Sequence, residues 1–270
     1  MISVVMAVYN IGKKEILTEA VLSILHQTET DIELIICDDA STDGTSQWLD
    51  ELAENDNRIK LLKNTENRKA GYSRNRCISC AGGDYIAIMD GDDISAPERL
   101  SKQADFLDNN PQFDFVGTGS QYFKERIGDM GDEGYWFCET PEKKDLLFTP
   151  PFLHATIMFR KEALAAVSGY SSEKLVTRCE DFDMLLRMYA AGLKGANIKD
   201  VLYFYRVDEQ TLKKRKYRYR FNETAVKWRG FYRCGLFPKG IPYAIKPLIV
   251  GLIPVGLLEK LKKRHYGKKR

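Results

Sequence analysis

The sequence predicts an α/β domain with a mostly parallel sheet flanked by helices, followed by a basic helical extension. Three observations predict it. Strand and helix patterns alternate four times in the first hundred residues, with connections long enough for parallel crossovers. The strand patterns are short, continuous apolar runs, as strands buried on both faces require. Several of these runs end in carboxylates or an aromatic, and the carboxyl ends of parallel strands share one rim, where such sheets bind ligands.

In order, Ile2 to Val8 is a buried strand, closed by Tyr9-Asn10 before a turn at Gly12. Ala20, Val21, Ile24 and Leu25 then recur at the spacing of one helical face. Ile32 to Cys37 is a second buried strand running into Asp38 and Asp39. Ser41-Thr42-Asp43-Gly44 supplies turn and cap residues, and Gln47 to Leu52 starts the next helix. Ile59 to Leu62 is a third strand, and Asn67 to Cys80 is a glycine-containing loop entering a helix. Tyr85 to Met89 is the fourth strand, and Pro97 is placed to open a helix that runs to about Leu107. Phe113 to Val116 reads as a strand, followed by a less regular region to Thr149. Pro150 to Arg160 is a proline-bounded loop entering another strand. Glu180-Asp181-Phe182-Asp183 opens a helix with Phe182, Leu185, Leu186 and Tyr189 on one face, and Val201 to Val207 is the last strand.

The fourth strand ends in Asp90, Asp92 and Asp93, broken only by Gly91. Carboxylates this crowded repel one another unless a cation joins them. Mg²⁺ or Mn²⁺ prefers oxygen ligands and takes one or two protein carboxylates, leaving its other positions to water and substrate phosphates. The pattern fits a metal holding a diphosphate, or simply turn acids, because Asp-Gly is common turn chemistry. The acids at 180, 181 and 183 equally fit capping of a helix N-terminus. No Gly-x-Gly-x-x-Gly follows the first strand and no Gly-x-x-x-x-Gly-Lys-Ser/Thr occurs, which argues against a dinucleotide dehydrogenase and a P-loop enzyme.

At 270 residues, 44% hydrophobic and 29% charged, the chain has the composition of a globular protein with a substantial core. Its net charge of +3 hides an asymmetry. Residues 211–270 carry 18 Lys and Arg against Glu223 and Glu259, or +16, and the first 210 residues carry 23 against 36, or −13. Six cysteines are too sparse for a disulfide scaffold. Cys77 and Cys80, the one close pair, lack a second pair or a histidine for zinc and read as two reduced, packed thiols. The N-terminus enters a strand at Ile2 with no basic n-region or cleavage site, so the expected location is cytoplasmic.

Taken together, the first 207 residues resemble a family 2 glycosyltransferase of the GT-A type. The resemblance rests on Val8-Tyr9-Asn10, Ser23 to Thr28, Asp38-Asp39 through Thr45, Arg74-Asn75, Gly83-Asp84-Tyr85, Asp90-Gly91-Asp92-Asp93, His154-Ala155-Thr156, Glu180-Asp181 and Leu202 to Arg206. Any one of these is weak, and their joint order and spacing carry the inference. Ala7 stands where many relatives have Pro or another small residue, and residues 118–149 match no such motif.

The resemblance implies a Rossmann-like nucleotide-diphospho-sugar transferase fold over residues 1–210, and the charge asymmetry marks residues 211–270 as a basic, partly amphipathic C-terminal extension. It implies a nucleotide-sugar donor, a UDP-sugar by the fit of Asp39 to the uracil imide N–H, with Tyr9 stacked on the base. Ala7, Arg74, Asp90, Gly91 and His154 join Tyr9 and Asp39 in the donor site, with Arg74 reaching the nucleotide or its phosphates. Asp92, with Asp90, holds Mn²⁺ or Mg²⁺. Asp181 is the base that deprotonates the acceptor hydroxyl, with Glu180 as the alternate carboxylate, and transfer inverts the anomeric carbon. The implied acceptor is a glycan or a lipid-linked sugar in bacterial polysaccharide or lipooligosaccharide assembly.

In the extension, Lys213 to Arg220 alternates basic and aromatic residues, and Ile241 to Leu258 is apolar but interrupted by Pro242, Pro247 and Pro254. Three prolines in so short a run argue against a membrane span. The extension fits either a segment lying on an anionic membrane, on the inner face of the cytoplasmic membrane, or a helical cap on the catalytic domain. Nucleic acid is not expected as a partner, because the acidic body opposes it. A sugar-nucleotide nucleotidyltransferase needs a basic glycine-rich loop after the first strand, which Tyr9 to Lys14 fits poorly, and an inactive membrane-associated scaffold with the same fold is a further alternative. Which sugar, which acceptor and which oligomeric state are not encoded in any motif here.

Overall fold

The computed structural model describes residues 1–131, 134–135, 138–207 and 217–252. Its first half is β1 (Ile2–Val8), α1 (Lys14–Leu25), β2 (Ile32–Asp38), α2 (Thr45–Asn55), β3 (Ile59–Lys63), α3 (Ala70–Cys80), β4 (Tyr85–Asp90), β5 (Ile94–Ser95) and α4 (Arg99–Asn109). Then follow β6 (Phe115–Phe123), β7 (Gly134–Tyr135), β8 (Met158–Arg160), α5 (Lys161–Ala166), α6 (Glu180–Ala190), β9 (Gly195–Arg206), α7 (Arg218–Arg233) and α8 (Ile241–Gly251). The sheet order is β3-β2-β1-β4-β8-β6-β9-β5, with β7 on β6.

β1 to β4 pair in parallel, as the alternation of the sequence predicts. Beyond β4 the sheet is mixed. β8 runs antiparallel between β4 and β6, β9 runs parallel to β6, and the two-residue β5 pairs antiparallel with β9. Successive side chains of a strand point to opposite faces, so each strand feeds two cores. Val4, Met6 and Val8 join Leu34 and Ile36 under α1, α2 and α4. Val5 joins Ile35, Ile86 and Ile88 on the other face, with Cys77 of α3 and the buried side of α6.

Several boundaries differ from the sequence reading. β6 runs on through Gly117, Gly119 and Ser120, and β9 begins at Gly195, where its Asn-Ile-Lys-Asp stretch hides the strand pattern. Both extensions are held by the long β6–β9 pairing, a non-local contact that no local period announces. Pro97 lies two residues ahead of α4 rather than at its first position. Cys77 is buried but Cys80 is exposed, so only one of the two thiols is packed. Lys213 to Lys216, and the chain from residue 253 on, lie outside the described residues.

The described part of the extension is continuous with the core. Val226 and Phe231 of α7 and Ala244 of α8 are buried in the same cluster as Leu185, Leu186 and Met188 of α6. Arg229 on α7 bonds the buried Asp183 on α6 at 2.9 Å and Glu173 at 2.8 Å. At Gly230 the two helices meet so closely that a Cβ would lie 2.5 Å from Leu186 Cδ1. Asp183, a plain capping acid on sequence grounds, therefore joins Arg187 of its own helix to Arg229 of the extension.

Candidate active site

The rim at the carboxyl ends of β1, β2 and β4 carries the donor-side candidates. Ala7 is in register with Cys37 on β2 and with Asp90 on β4, so the ends of the three strands lie side by side. Beyond them the Asn10 N–H donates to Ser41 Oγ, Asn10 Oδ1 accepts from the Thr42 N–H, and the Gly12 N–H donates to Asp43 Oδ2. These bonds knit the loop after β1 to the loop after β2. Tyr9, between them, is 48% exposed, an aromatic left at the mouth of the site.

Asp39 is the opposite case, only 3% exposed. Its Oδ1 accepts from Asn64 Nδ2 (2.6 Å), the Arg68 N–H (2.8 Å) and Ser73 Oγ (3.1 Å), and its Oδ2 accepts from the Lys69 N–H (2.8 Å). A buried carboxylate needs such partners. Asp39 thus shapes the loop that leads into α3, and its remaining acceptor capacity is on Oδ2. Gly91 fits a tight space: a Cβ there would lie 3.1 Å from Val8 Cγ2 and 3.4 Å from Ile11 Cδ1, so those side chains would have to give way.

Arg74, from α3, reaches β4. Its Nη2 donates to Asp90 Oδ1 at 2.6 Å, and its Cζ lies 5.7 Å from the centre of the Tyr170 ring. Burial alone would weaken the guanidinium's hold on its proton, but the Asp90, Tyr170 and Asp181 side chains outweigh it and raise the pKa. The Arg74 Nε is buried with no hydrogen-bond partner among the described residues. An orphaned buried donor on a fixed cation fits an anionic ligand.

Tyr170 gathers the cluster. Its hydroxyl is 2.7 Å from His154 Nε2, and its main chain is gripped by Asn75, whose Nδ2 donates to the Tyr170 carbonyl and whose Oδ1 accepts from its N–H. His154 is 8% exposed, and burial, aided by the Arg74 charge, holds its pKa well below 6.5. The ring is therefore neutral at pH 7. Burial raises the Tyr170 phenol, with Arg74 opposing and Asp90 and Asp181 adding to the shift. Asp90, Arg74, His154, Tyr170 and Asp181, spread over 108 residues of sequence, thus form one electrostatic unit.

The acidic turn is braced from beneath. Tyr203, fully buried, donates its hydroxyl to Asp93 Oδ2 at 2.8 Å and accepts from the Asp90 N–H at 3.3 Å. The Arg206 N–H donates to Asp93 Oδ1 and its Nε to the Asp92 carbonyl, both at 2.8 Å. Burial, then the Asp92 and Asp90 charges, push the Asp93 carboxyl well above the usual range. Arg99, buried with its Cζ 5.0 Å from the Tyr203 ring, is pushed down to about 10 by burial and stays charged at neutral pH. Asp93 is thus structural, while Asp90 pairs with Arg74 and Asp92 is exposed at the end of the turn.

Among the described residues no group of three or more His, Cys, Asp and Glu converges as a metal centre. Two carboxylates at a strand end nonetheless suit a hard cation that completes its shell with water and phosphate oxygens. The residues present fit Mg²⁺ or Mn²⁺ on those terms.

The two acids that open α6 part company. Asp181 lines a cavity of about 280 Å³ closed on its far side by α7 and α8. Glu180 instead packs toward Gly71 of α3 and lines a smaller space of about 100 Å³ with Arg68 and Tyr72. Adjacent residues on a helix point about 100° apart, which separates them. The sequence reading gave no role to Tyr170, Asn75, Tyr203, Arg206 or Arg99. Asn75, Tyr203 and Arg206 lie inside stretches it singled out, while Tyr170 and Arg99 carry no local signal of a site.

The sequence pattern described as glycosyl transferase family 2 matches residues 3–167. EpsE of Bacillus subtilis (strain 168), which carries a glycosyltransferase name, is 37% identical over 266 residues, covering 98% of this chain and 94% of EpsE. The structure of S. aureus TarS 1-349 in complex with UDP-GlcNAc matches with a TM-score of 0.69 at 20% identity, over 91% of this chain and 72% of that one. The mannosyltransferase PcManGT from Pyrobaculum calidifontis, in complex with GDP-Man and Mn²⁺, matches with a TM-score of 0.61 at 18% identity, over 100% of this chain and 80% of that one. At such identities the two structural matches speak to the fold alone.

Proposed function

The chain belongs to glycosyl transferase family 2 and is a glycosyltransferase with the GT-A fold, and from that premise we propose that it transfers a sugar from a UDP-sugar to a hydroxyl of a glycan or lipid-linked acceptor in cell-surface polysaccharide assembly. The observation that carries this reading is the Arg74–Asp90 pair, whose surroundings include both His154 and Asp181. One buried unit couples a phosphate-binding cation to a carboxylate able to act on the acceptor. Family membership replaces the nucleotidyltransferase alternative.

In this reading Tyr9 stacks on the base and Asp39 Oδ2 accepts the uracil imide N–H. Uracil suits the carboxylate better than guanine, whose paired N–H donors would call on both oxygens, and Oδ1 already accepts three hydrogen bonds. TarS is described with UDP-GlcNAc and PcManGT with GDP-Man, so the donor preference rests on Asp39. Ala7 and Gly91 keep the strand ends low beneath the nucleotide, and the free donors of Arg74 bind the diphosphate. His154, neutral and fixed by Tyr170, faces the donor as a hydrogen-bonding group without adding charge. Mg²⁺ or Mn²⁺, held by Asp90 and Asp92, would supply Lewis-acid neutralisation of the charge on the departing diphosphate. Asp181 takes the proton of the acceptor hydroxyl as its oxygen bonds to the anomeric carbon, the bond from that carbon to the diphosphate breaks, and UDP leaves from the opposite face, inverting the centre. Glu180, in its separate space, is a positioning residue for the α3–α6 contact.

The C-terminal helices also support contact with an anionic membrane surface. α7 exposes Phe221, Trp228 and Tyr232 along one side, and α8 exposes Ile245 and Ile249, in a segment rich in Lys and Arg. Among the described residues no helix is long and apolar enough to cross a membrane.

Release of UDP from a panel of UDP-sugars and GDP-sugars, measured with Mn²⁺ and again in EDTA, tests the function. Release from a UDP-sugar that stops in chelator and returns with Mn²⁺ or Mg²⁺ is expected. Release from GDP-sugars alone would overturn the UDP assignment, and full activity in chelator would overturn the metal.

A further inference from the structure

We propose that the cavity between the start of α6 and helices α7 and α8 binds a phosphate-bearing acceptor, whose anionic group is held by Arg178, Arg220, Lys227 and Lys246 while its hydroxyl meets Asp181. The proposal rests on the reading of Asp181 as the base. It adds the chemical class of the acceptor and the residues that select it.

The cavity holds about 280 Å³, close to the lower end of small-molecule sites, which run from about 300 to 1,000 Å³. Four cations and two carboxylates, Asp181 and Glu223, line it. Glu223 is already engaged, by Arg220 at 3.0 Å and Lys227 at 3.1 Å. Among the described residues neither Arg178 nor Lys246 has a carboxylate partner within salt-bridge distance. The rest of the wall is largely apolar, including Phe148, Phe182 and Val250, while Arg178 and Lys246 are themselves exposed to solvent.

Arg220 and Lys227 are not what fastens the extension to the domain. Arg220 and Lys227 pair within α7 itself, at three and four residues from Glu223, whereas Arg229 makes the bonds to Asp183 and Glu173 that cross to the catalytic body. Arg178 is held at φ +71°, a conformation disfavoured for any residue with a Cβ, in the turn just ahead of Asp181. The four come from three separate elements and meet only around this space. All of them lie beyond residue 167, where the family pattern ends, as expected of the part of the site that distinguishes one acceptor from another.

Asp181 belongs to both sides, because it lines this cavity and its charge also bears on Arg74 and Tyr170 of the donor cluster. An acceptor with its phosphate against α7 and α8 would present a sugar hydroxyl toward the carboxylate. A neutral acceptor would leave Arg178 and Lys246 without a carboxylate partner.

The test is calorimetric titration of the full-length, UDP-saturated protein with glucose 1-phosphate and, separately, with the neutral methyl glucoside. Glucose 1-phosphate should bind at least about tenfold more tightly than methyl glucoside, and Lys246→Ala or Arg178→Ala should each weaken it about tenfold, the scale of one charge-assisted hydrogen bond, while leaving UDP affinity within about twofold. Equal affinity for the two probes, or unchanged glucose 1-phosphate binding in both variants, would overturn the proposal. If UDP does not bind but glucose 1-phosphate still binds in a Lys246-dependent way, the donor reading fails and the anion site stands.

Discussion

Arg74 donates a 2.6 Å hydrogen bond to Asp90 Oδ1 while its own Nε, buried, has no partner among the described residues. The proposed donor site has Arg74 bind the diphosphate, so its loss should be felt in UDP affinity. Arg74→Ala should weaken UDP binding about 10- to 150-fold, the range of a charge-assisted bond, measured by calorimetry. Affinity within twofold of the native chain would remove Arg74 from the donor site.

Asp181→Asn keeps the shape of the side chain and removes its basicity. Turnover should fall at least about 100-fold with UDP affinity unchanged, the signature of a lost general base. The companion Glu180→Gln should cost far less, because Glu180 lies in the other space. Equal losses in the two variants would argue that both acids serve the helix start and neither the chemistry.

The depressed His154 pKa has a consequence for acid stability. Unfolded, the ring takes a proton as pH drops through 6.5, whereas folded it stays neutral, so the unfolded chain binds more protons in that window. Stability should therefore fall as pH is lowered below 6.5, by at most about 1.4 kcal/mol per pH unit from this group. The raised carboxyl of Asp93 contributes the opposite slope, so the comparison to make is with His154→Gln in denaturant titrations at several pH values. An unchanged slope in that variant would show that His154 titrates normally.

Gly230 sets the distance between α6 and α7. Gly230→Ala would force a methyl to within 2.5 Å of Leu186 Cδ1 and 2.9 Å of its Cβ. Overpacking of this kind costs about 1–3 kcal/mol, which a drop in the urea midpoint with unaltered slope would report. No change would mean that the extension adjusts without cost to the body.

The exposed side of α7 and α8 should carry the protein to anionic vesicles. At low salt the chain should float with such vesicles, and replacing Phe221, Trp228 and Ile249 with Ser should leave it in the soluble fraction. Absence of flotation at low salt would leave α7 and α8 as a cap alone.

Much of this was written in the sequence. The parallel half of the sheet was legible because its strands are continuous apolar runs separated by helical periods, and those signals are local. The rim candidates Tyr9, Asp39 and Asp90 were legible for the same reason, each ending a strand that parallel pairing must align with the others. In the second half the strands and α6 were legible but the full extent of β6 and β9 was not, because these contain glycines and polar residues and extend as strands only by pairing with each other across some 70 residues of chain. What only the tertiary structure decided is how firmly individual acids are tied into the fold. Asp39, Asp93 and Asp183 look on paper like any other acid of the chain. The difference lies in buried partners, Asn64 and Ser73, Tyr203 and the Arg206 main chain, Arg187 and Arg229, that stand 4 to 113 residues away and meet these acids only when the core closes.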